Sequence, residues 1–419
     1  MIISHNPFST YQSMGKTFLS LFSAFKKEEL CQLYVYPSFP NVDAVNSCYR
    51  ITDRDAVKAI VPGLRTGGEV SAHEYTGNMI ENKIDGMLYA KKSNDSAFKR
   101  IARDIVWKCS NWYSRELREW LNREAPDCIF LAPGYAGFIY DVALKIADAR
   151  HIPIITYICD DYYVTDTANT WLVRYQQSFL RKKIYQTMKQ SRLMIAISEE
   201  IKTKYIKEFA VDCTLIMTGA NAGMFDCVTY QRPFKKFSYF GNIVLNRKES
   251  LVDIGKVLDE INLERGTDYQ LNIYTRRAES SEFKGIKSIR ICGFVTGEAF
   301  TKAFAEADCL VHVESFDKEM VDLVSGSIST KIADSLASGI PMLSYAPSGI
   351  ASVEHLRRNN CAFIVDNYDC LKNTICQILD DDEKRRQISQ NAIRTAEKYH
   401  ASDKNSEYLK TLIKKIVGV

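Results

Sequence analysis

Short apolar runs of four or five residues alternate with helical stretches through most of this chain, and few folds accommodate that rhythm. Leu33-Tyr34-Val35-Tyr36 reads as a strand, as do Cys128-Ile129-Phe130-Leu131, Ile154-Ile155-Thr156-Tyr157-Ile158 and Met194-Ile195-Ala196-Ile197. Runs without polar alternation, separated by helices such as Ser96 to Asn122 and Ile139 to Arg150, predict parallel strands covered on both faces. The second half repeats the pattern. Phe237-Ser238-Tyr239-Phe240 ends at Gly241, and a helix follows with Leu251, Ile254, Val257, Leu258 and Ile261 on one face. Leu271 to Tyr274, Ile289 to Cys292, Cys309 to Val313 and Met342 to Tyr345 are further strands. Between the last two lies a helix from Ser329 to Ser338, stopped by Gly339 and Pro341. Two helices, Glu383 to Tyr399 and Lys404 to Ile416, finish the chain, while Ile60 to Met87 shows too little periodicity to assign. The progression is that of a doubly wound α/β fold.

A length of 419 residues is too great for one such domain. The expected division is a domain over 1–215, a second over 216–400 and a terminal helix over 401–419 crossing back onto the first. With no low-complexity linker, the two domains are expected to face each other across a cleft, where ligands meet the carboxyl ends of the strands. The 46% hydrophobic and 25% charged fractions exclude disorder and fibrous repeats. A net charge of +4 is too small for a nucleic-acid binder. No run approaches 18 apolar residues, and Met1-Ile2-Ile3-Ser4-His5-Asn6 lacks the basic start of a secretory signal. The twelve cysteines are scattered singly, as in a reduced protein. These features together predict a cytosolic protein.

Several local patterns bear on chemistry. Gly15-Lys16-Thr17 has the end of a P-loop but Thr10 where the first glycine belongs, which leaves Gly15 as a turn that brings backbone N–H groups near an anion. Asp53-Arg54-Asp55 reads as a solvated helix face, and the six histidines are too dispersed for a metal site, so no metal is implied. Asp160-Asp161 follows a strand, where α/β enzymes place reactive groups. Arg174 to Arg192 carries six basic residues and no acid, and reads either as a solvated face or as a helix resting on an anionic membrane. The stretch from Ser325 to Pro341 is the most informative. Ser329 and Thr330 open a helix whose first-turn amides lack partners, Lys331 adds charge suited to a diphosphate, and Asp334 lies one turn further along the same face. A carboxylate there is placed to accept hydrogen bonds from a ribose.

That stretch, with what flanks it, resembles the C-terminal domain of family 4 glycosyltransferases, which have the GT-B fold of two facing Rossmann-like domains. Tyr239-Phe240-Gly241-Asn242 through Arg247 resembles the family's glycine turn and its diphosphate-binding basic residue. Ile291-Cys292-Gly293-Phe294-Val295 resembles the segment lining the base pocket, and Ala307 to Val311 and Ser329 to Gly339 follow in the family's order. In the first half, Asn6-Pro7-Phe8-Ser9 through Thr17, Ile197-Ser198-Glu199 and Met217 to Asn221 are similar to the glycine loop and hinge segments. The resemblance implies retaining transfer of a sugar from a nucleotide diphosphate donor without a bound metal. Arg247 and Lys331 would hold the diphosphate, Asp334 the ribose, and Gly241, Asn242, Gly293, Ser329 and Thr330 would line the donor site, with Gly15 facing the phosphates.

The chain departs from the family at marked positions. Of two glutamates eight positions apart, Asp334 takes the second place and Gly326 stands at the first. Asn242 replaces a common arginine, and Asp160 stands in for a frequent histidine, where it would orient sugar or acceptor. The reading is a glycosyltransferase of polysaccharide or glycoconjugate assembly, acting on a glycan or lipid-linked acceptor with the 174–192 helix toward the membrane. An epimerase of the same fold and a non-catalytic GT-B-like binding protein are the alternatives.

Overall fold

A computed structural model of the chain describes residues 1–10, 13–61, 63–64, 66–70, 97–163, 170–220, 234–276 and 280–418. It divides into two compact units, Met1–Ile216 with Asp403–Val419, and Met217–Ser402.

The first unit is built on an eight-stranded sheet in the order β4-β3-β2-β1-β5-β6-β7-β8. Its strands are β1 (Ile2–Ser4), β2 (Cys31–Tyr34), β3 (Ser47–Arg50), β4 (Gly68–Val70), β5 (Ile129–Ala132), β6 (Ile154–Ile158), β7 (Ser191–Ala196) and β8 (Cys213–Leu215). All pair in parallel except β4, which runs antiparallel to β3. Every residue of β1, β2, β5 and β6 is buried, the expected consequence of helices on both faces. The terminal helix Ser402–Val417 packs within this unit. Ser406 Oγ accepts from Ala24 N at 2.8 Å, Lys410 Nζ donates to Ala24 O at 3.0 Å and to Glu29 at 2.8 Å, and Leu409 is fully buried.

The second unit has six strands, all parallel, in the order β11-β10-β9-β12-β13-β14. They are β9 (Lys236–Phe240), β10 (Gln270–Tyr274), β11 (Ile289–Ile291), β12 (Cys309–Val313), β13 (Met342–Tyr345) and β14 (Phe363–Val365). One core joins Phe237, Leu271, Ile273, Val311 and Leu343 of the sheet to Leu251, Ile254 and Leu258, the helix face read from the sequence. The strand order reverses between β9 and β12, and a crevice opens at such a reversal beyond the strands' carboxyl ends.

Three expectations need correction. The helix expected over Ser96 to Asn122 is two helices, Ala97–Cys109 and Arg115–Glu124, because Ser114 caps the second by accepting from Leu117 N. The first N-terminal strand after β1 spans Cys31–Tyr34, two residues earlier than Leu33 to Tyr36. Ser47–Arg50, concealed by its polar ends, and Gly68–Val70, a short strand with Glu69 at its centre, are strands not read from the sequence, and residues 71–87, most of the segment left unassigned, lie outside the described residues.

Candidate active site

The crevice between β9 and β12 is where the second unit collects its chemistry. A recess there is lined by Tyr239 and Phe240 at the end of β9, His312, Val313 and Glu314 at the end of β12, and Arg247, Ser329, Lys331 and Asp334 from two helices. The strand register explains the first two groups, since β9 and β12 are direct neighbours.

Gly241 turns the chain out of β9, its N–H donating to Tyr274 O at 3.0 Å, and Tyr239 OH donates to Asn242 O at 2.6 Å. A Cβ on Gly241 would lie 2.5 Å from Lys331 Nζ, so the missing side chain is what admits the lysine ammonium. The turn then passes through Leu245 (φ 61°) and Asn246 (φ 56°), two consecutive left-handed residues that are not glycine. Each costs on the order of 1–2 kcal/mol, and such strain is found where a segment is aimed at a task. Asn246 is steadied by donating to Asp317 at 3.2 Å, and Arg247 is the first residue of the helix Arg247–Arg265.

Arg247 makes a two-pronged bond to Glu314, Nε to Oε2 at 2.8 Å and Nη2 to Oε1 at 2.9 Å. The side chains are 16% and 6% exposed, so the pair is largely dry. Burial disfavours the Arg247 cation, but hydrogen bonding and charge from Glu314 outweigh it and hold the pKa above the ordinary arginine value. Ser250 Oγ donates to Glu314 O at 2.8 Å and fixes the backbone beneath. His312, two residues earlier, is buried with Nε2 3.3 Å from Ser352 Oγ, and burial lowers its pKa to about 4, so it is neutral at pH 7.

The helix Thr330–Ala337 opens at Ser329, whose side chain makes no capping hydrogen bond, while its backbone carbonyl accepts from Ile332 N at 3.0 Å. Lys331 and Asp334 both face the recess. Gly293 lies in a left-handed turn (φ 74°) after β11, with nothing near a would-be Cβ, so its glycine answers to the backbone turn. Beside it, Arg276 stacks 4.1 Å over the exposed Phe294 ring. The structure therefore brings Gly241, Arg247, Ser329, Lys331 and Asp334 to one place, with Asn242 and Thr330 in adjoining positions. Glu314 was missed by sequence reasoning. Its signal is a charged residue directly after the buried central strand Cys309–Val313.

Gly15 and Asp160 belong to the first unit. A Cβ on Gly15 would meet Ser9 N at 2.5 Å, so this glycine seats the helix Ser13–Leu21 against the preceding loop. Asp160 accepts from Tyr162 OH at 3.3 Å, while Asp161 pairs with Lys204 at 2.5 Å. The Asp53-Arg54-Asp55 motif has structural uses: Asp53 accepts from Arg103 and Trp107, both at 2.8 Å, and Asp55 caps its helix with Thr52. Among the described residues, no group of three or more His, Cys, Asp or Glu side chains could hold a metal ion, and no helix is long and apolar enough to cross a membrane.

Residues 256–411 match a family described as "Glycosyl transferase-like". No curated protein sequence matches the chain. Among solved structures, sucrose-phosphate synthase from Thermosynechococcus elongatus is similar at a TM-score of 0.64 and 11% identity, over 100% of this chain and 98% of that one. HepE of Anabaena, in complex with UDP and glucose, gives 0.61 and 10% over 99% and 98%. WaaG, a glycosyltransferase involved in lipopolysaccharide biosynthesis, gives 0.56 and 10% over 97% and 98%. At these identities the likeness establishes the fold, two parallel-sheet units of the GT-B kind.

Proposed function

We propose that the chain, which has the GT-B fold, is a glycosyltransferase that moves a sugar from a nucleotide diphosphate donor to a glycan or lipid-linked acceptor, with retention of anomeric configuration, as family 4 enzymes do; the match of residues 256–411 to a glycosyl transferase-like family supports this. The observation that carries this reading is the gathering of Gly241, Arg247, Lys331 and Asp334 around one recess at the β9/β12 reversal. Lys331 and the free edge of Arg247 supply positive charge where the departing diphosphate gains negative charge, which is electrostatic catalysis in a partly dry site. In this reading these two cations do the work a metal ion does elsewhere. Asp334, one turn along its helix, takes the ribose hydroxyls, and the first-turn amides after Ser329 take phosphate oxygens. Asp160 of the first unit orients sugar or acceptor.

A lipid-linked acceptor is supported by the helix Trp171–Gln190. Gln176, Leu180, Ile184, Thr187 and Met188 are buried, while Trp171, Arg174, Tyr175, Lys182, Tyr185 and Lys189 are exposed at helical spacing. Trp171 is 77% exposed and Tyr175 58%. Exposed aromatic and basic side chains in one stripe suit the headgroup layer of an anionic bilayer, and a peripheral station at the cytoplasmic membrane face follows.

The test is a thermal-shift panel of UDP, GDP, ADP and CMP, with and without magnesium. A nucleotide at about 100 times its Kd stabilises by about 2.7 kcal/mol, a readable rise in Tm. A magnesium-independent rise with one nucleoside diphosphate, UDP being the first candidate because HepE binds it, supports the donor site and the cationic mechanism. No rise with any nucleotide favours a non-catalytic binding protein. Sedimentation with phosphatidylglycerol vesicles, but not with phosphatidylcholine vesicles, checks the membrane face.

A further inference from the structure

The recess holds two cations, Arg247 and Lys331, and two carboxylates, Glu314 and Asp334, so its formal charge sums to zero before any ligand arrives. That balance is unusual for a place meant to hold a diphosphate, and Glu314 is the residue responsible for it on the Arg247 side. We propose that Glu314 is a positioning residue for the donor diphosphate: it clasps Arg247 by the Nε–Nη2 edge, leaves the Nη1 edge for phosphate, and tempers the charge of the recess so that the spent nucleotide diphosphate is released. The inference deepens the donor-site reading above and rests on it.

Three observations carry it. Both Glu314 oxygens are engaged, at 2.8 and 2.9 Å, and both on the same side of the guanidinium. A planar fork held on that edge cannot rotate, so Nη1, which has no hydrogen bond to a described residue, keeps one direction. The carboxylate is itself anchored, since its residue ends β12 at the sheet reversal and its backbone carbonyl accepts from Ser250 Oγ at 2.8 Å. Finally, the cation's own backbone is fixed from the other side by the left-handed pair Leu245 and Asn246. A merely neutralising surface pair needs none of this, and exposed pairs contribute little.

The charge argument has a direction. Transfer converts a donor carrying two negative charges on its diphosphate into a product that carries more, so the cations that assist departure also retain the product. A fixed carboxylate beside Arg247 lowers that retention while leaving the N–H groups in place.

Glu314→Gln keeps the shape and removes the charge. Its Kd for UDP, or for whichever nucleoside diphosphate the wild type binds, is expected to fall roughly tenfold by calorimetry, with product inhibition strengthened to match. The gain should be smaller for the corresponding monophosphate. Glu314→Asp, which keeps the charge, should bind the diphosphate within about twofold of wild type. If Glu314→Gln does not fold, the same comparison is made between Arg247→Ala and Arg247→Ala/Glu314→Gln, where the double variant should bind the diphosphate more tightly than the single. A purely structural Glu314 predicts weaker or unchanged binding in both comparisons, and that result overturns the inference alone. Absence of any nucleotide binding by the wild type overturns it together with the donor-site reading.

Discussion

Lys331 and Gly241 stand far apart in sequence and share one point in space, because a Cβ on Gly241 would fall 2.5 Å from Lys331 Nζ and 3.0 Å from its Cε. The closest contact is with the far end of a flexible side chain, and the Tyr239 hydroxyl at 3.0 Å has to give by only a few tenths of an ångström, so the fold can absorb an alanine there while the ammonium is pushed aside. Gly241→Ala is therefore expected to lower nucleotide diphosphate affinity about tenfold with a Tm near wild type, and Lys331→Ala to lower it at least as much. Titration calorimetry beside a melting curve checks both, and unchanged affinity in Lys331→Ala would remove this lysine from the donor site. That Arg247, Lys331 and Asp334 line one recess was approachable from the sequence because each follows a local signal, a glycine turn or a helix start. Glu314 was not, because its meaning comes from a partner 67 positions away that only the parallel sheet brings close. Asp53 shows the same limit, because the motif read as a solvated face instead has its first carboxylate bonded to Arg103 and Trp107, about 50 positions away.

Elements were read best where burial is two-sided. β5, β6, β12 and β13 are buried at every position and stood out as apolar runs, whereas β3, with half-buried ends Ser47 and Arg50, carries no such pattern. The break at Ser114 was missed because amphipathic periodicity continues across it, although serine before a new apolar face is a helix-start signal. The helix Ser13–Leu21 gives a test at this scale. Alanine for glycine inside a helix ordinarily stabilises by up to about 1 kcal/mol. At Gly15, however, the added carbon would lie 2.5 Å from Ser9 N and 2.8 Å from Ser9 O, both backbone atoms that cannot swing away. Gly15→Ala is thus expected to destabilise the ligand-free protein by about 1–3 kcal/mol through overpacking, read as a lower urea midpoint. An alanine variant more stable than wild type would show instead that this glycine is kept for ligand approach alone.

Across the whole molecule, the chain passes between its units twice, at 216–217 and 402–403, and both passages lie beside a buried histidine pair. His400 Nδ1 is 2.8 Å from Thr218 O, its Nε2 is 3.0 Å from His355 Nε2, and Ala220 N donates to His400 O at 2.8 Å. A carbonyl can only accept, so His400 carries its proton on Nδ1, and His355 must then donate from Nε2. Protonating either ring breaks this order. Burial lowers the pKa of His355 to about 3, with the charges of His400 and Arg358 adding to the effect, and burial lowers His400 to about 4. His312 is lowered to about 4 in the same way. A histidine whose folded pKa lies below its unfolded value of about 6.5 contributes stability that is intact above that value and is lost as pH falls toward the folded pKa. Asp104 acts in the opposite sense, because burial raises it to about 6 and the folded state takes up its proton first. Three histidines against one aspartate leave a net loss, on the order of 2 kcal/mol per histidine by pH 5, partly offset by Asp104. Urea midpoints should accordingly fall between pH 6.5 and 4.5 and be level from 7 to 8. In His355→Gln, where an amide can still donate to His400 Nε2, the fall should be shallower even if the plateau is lower. A wild-type midpoint that does not change down to pH 5 would mean that His312, His355 and His400 are not kept as neutral imidazoles in the folded chain.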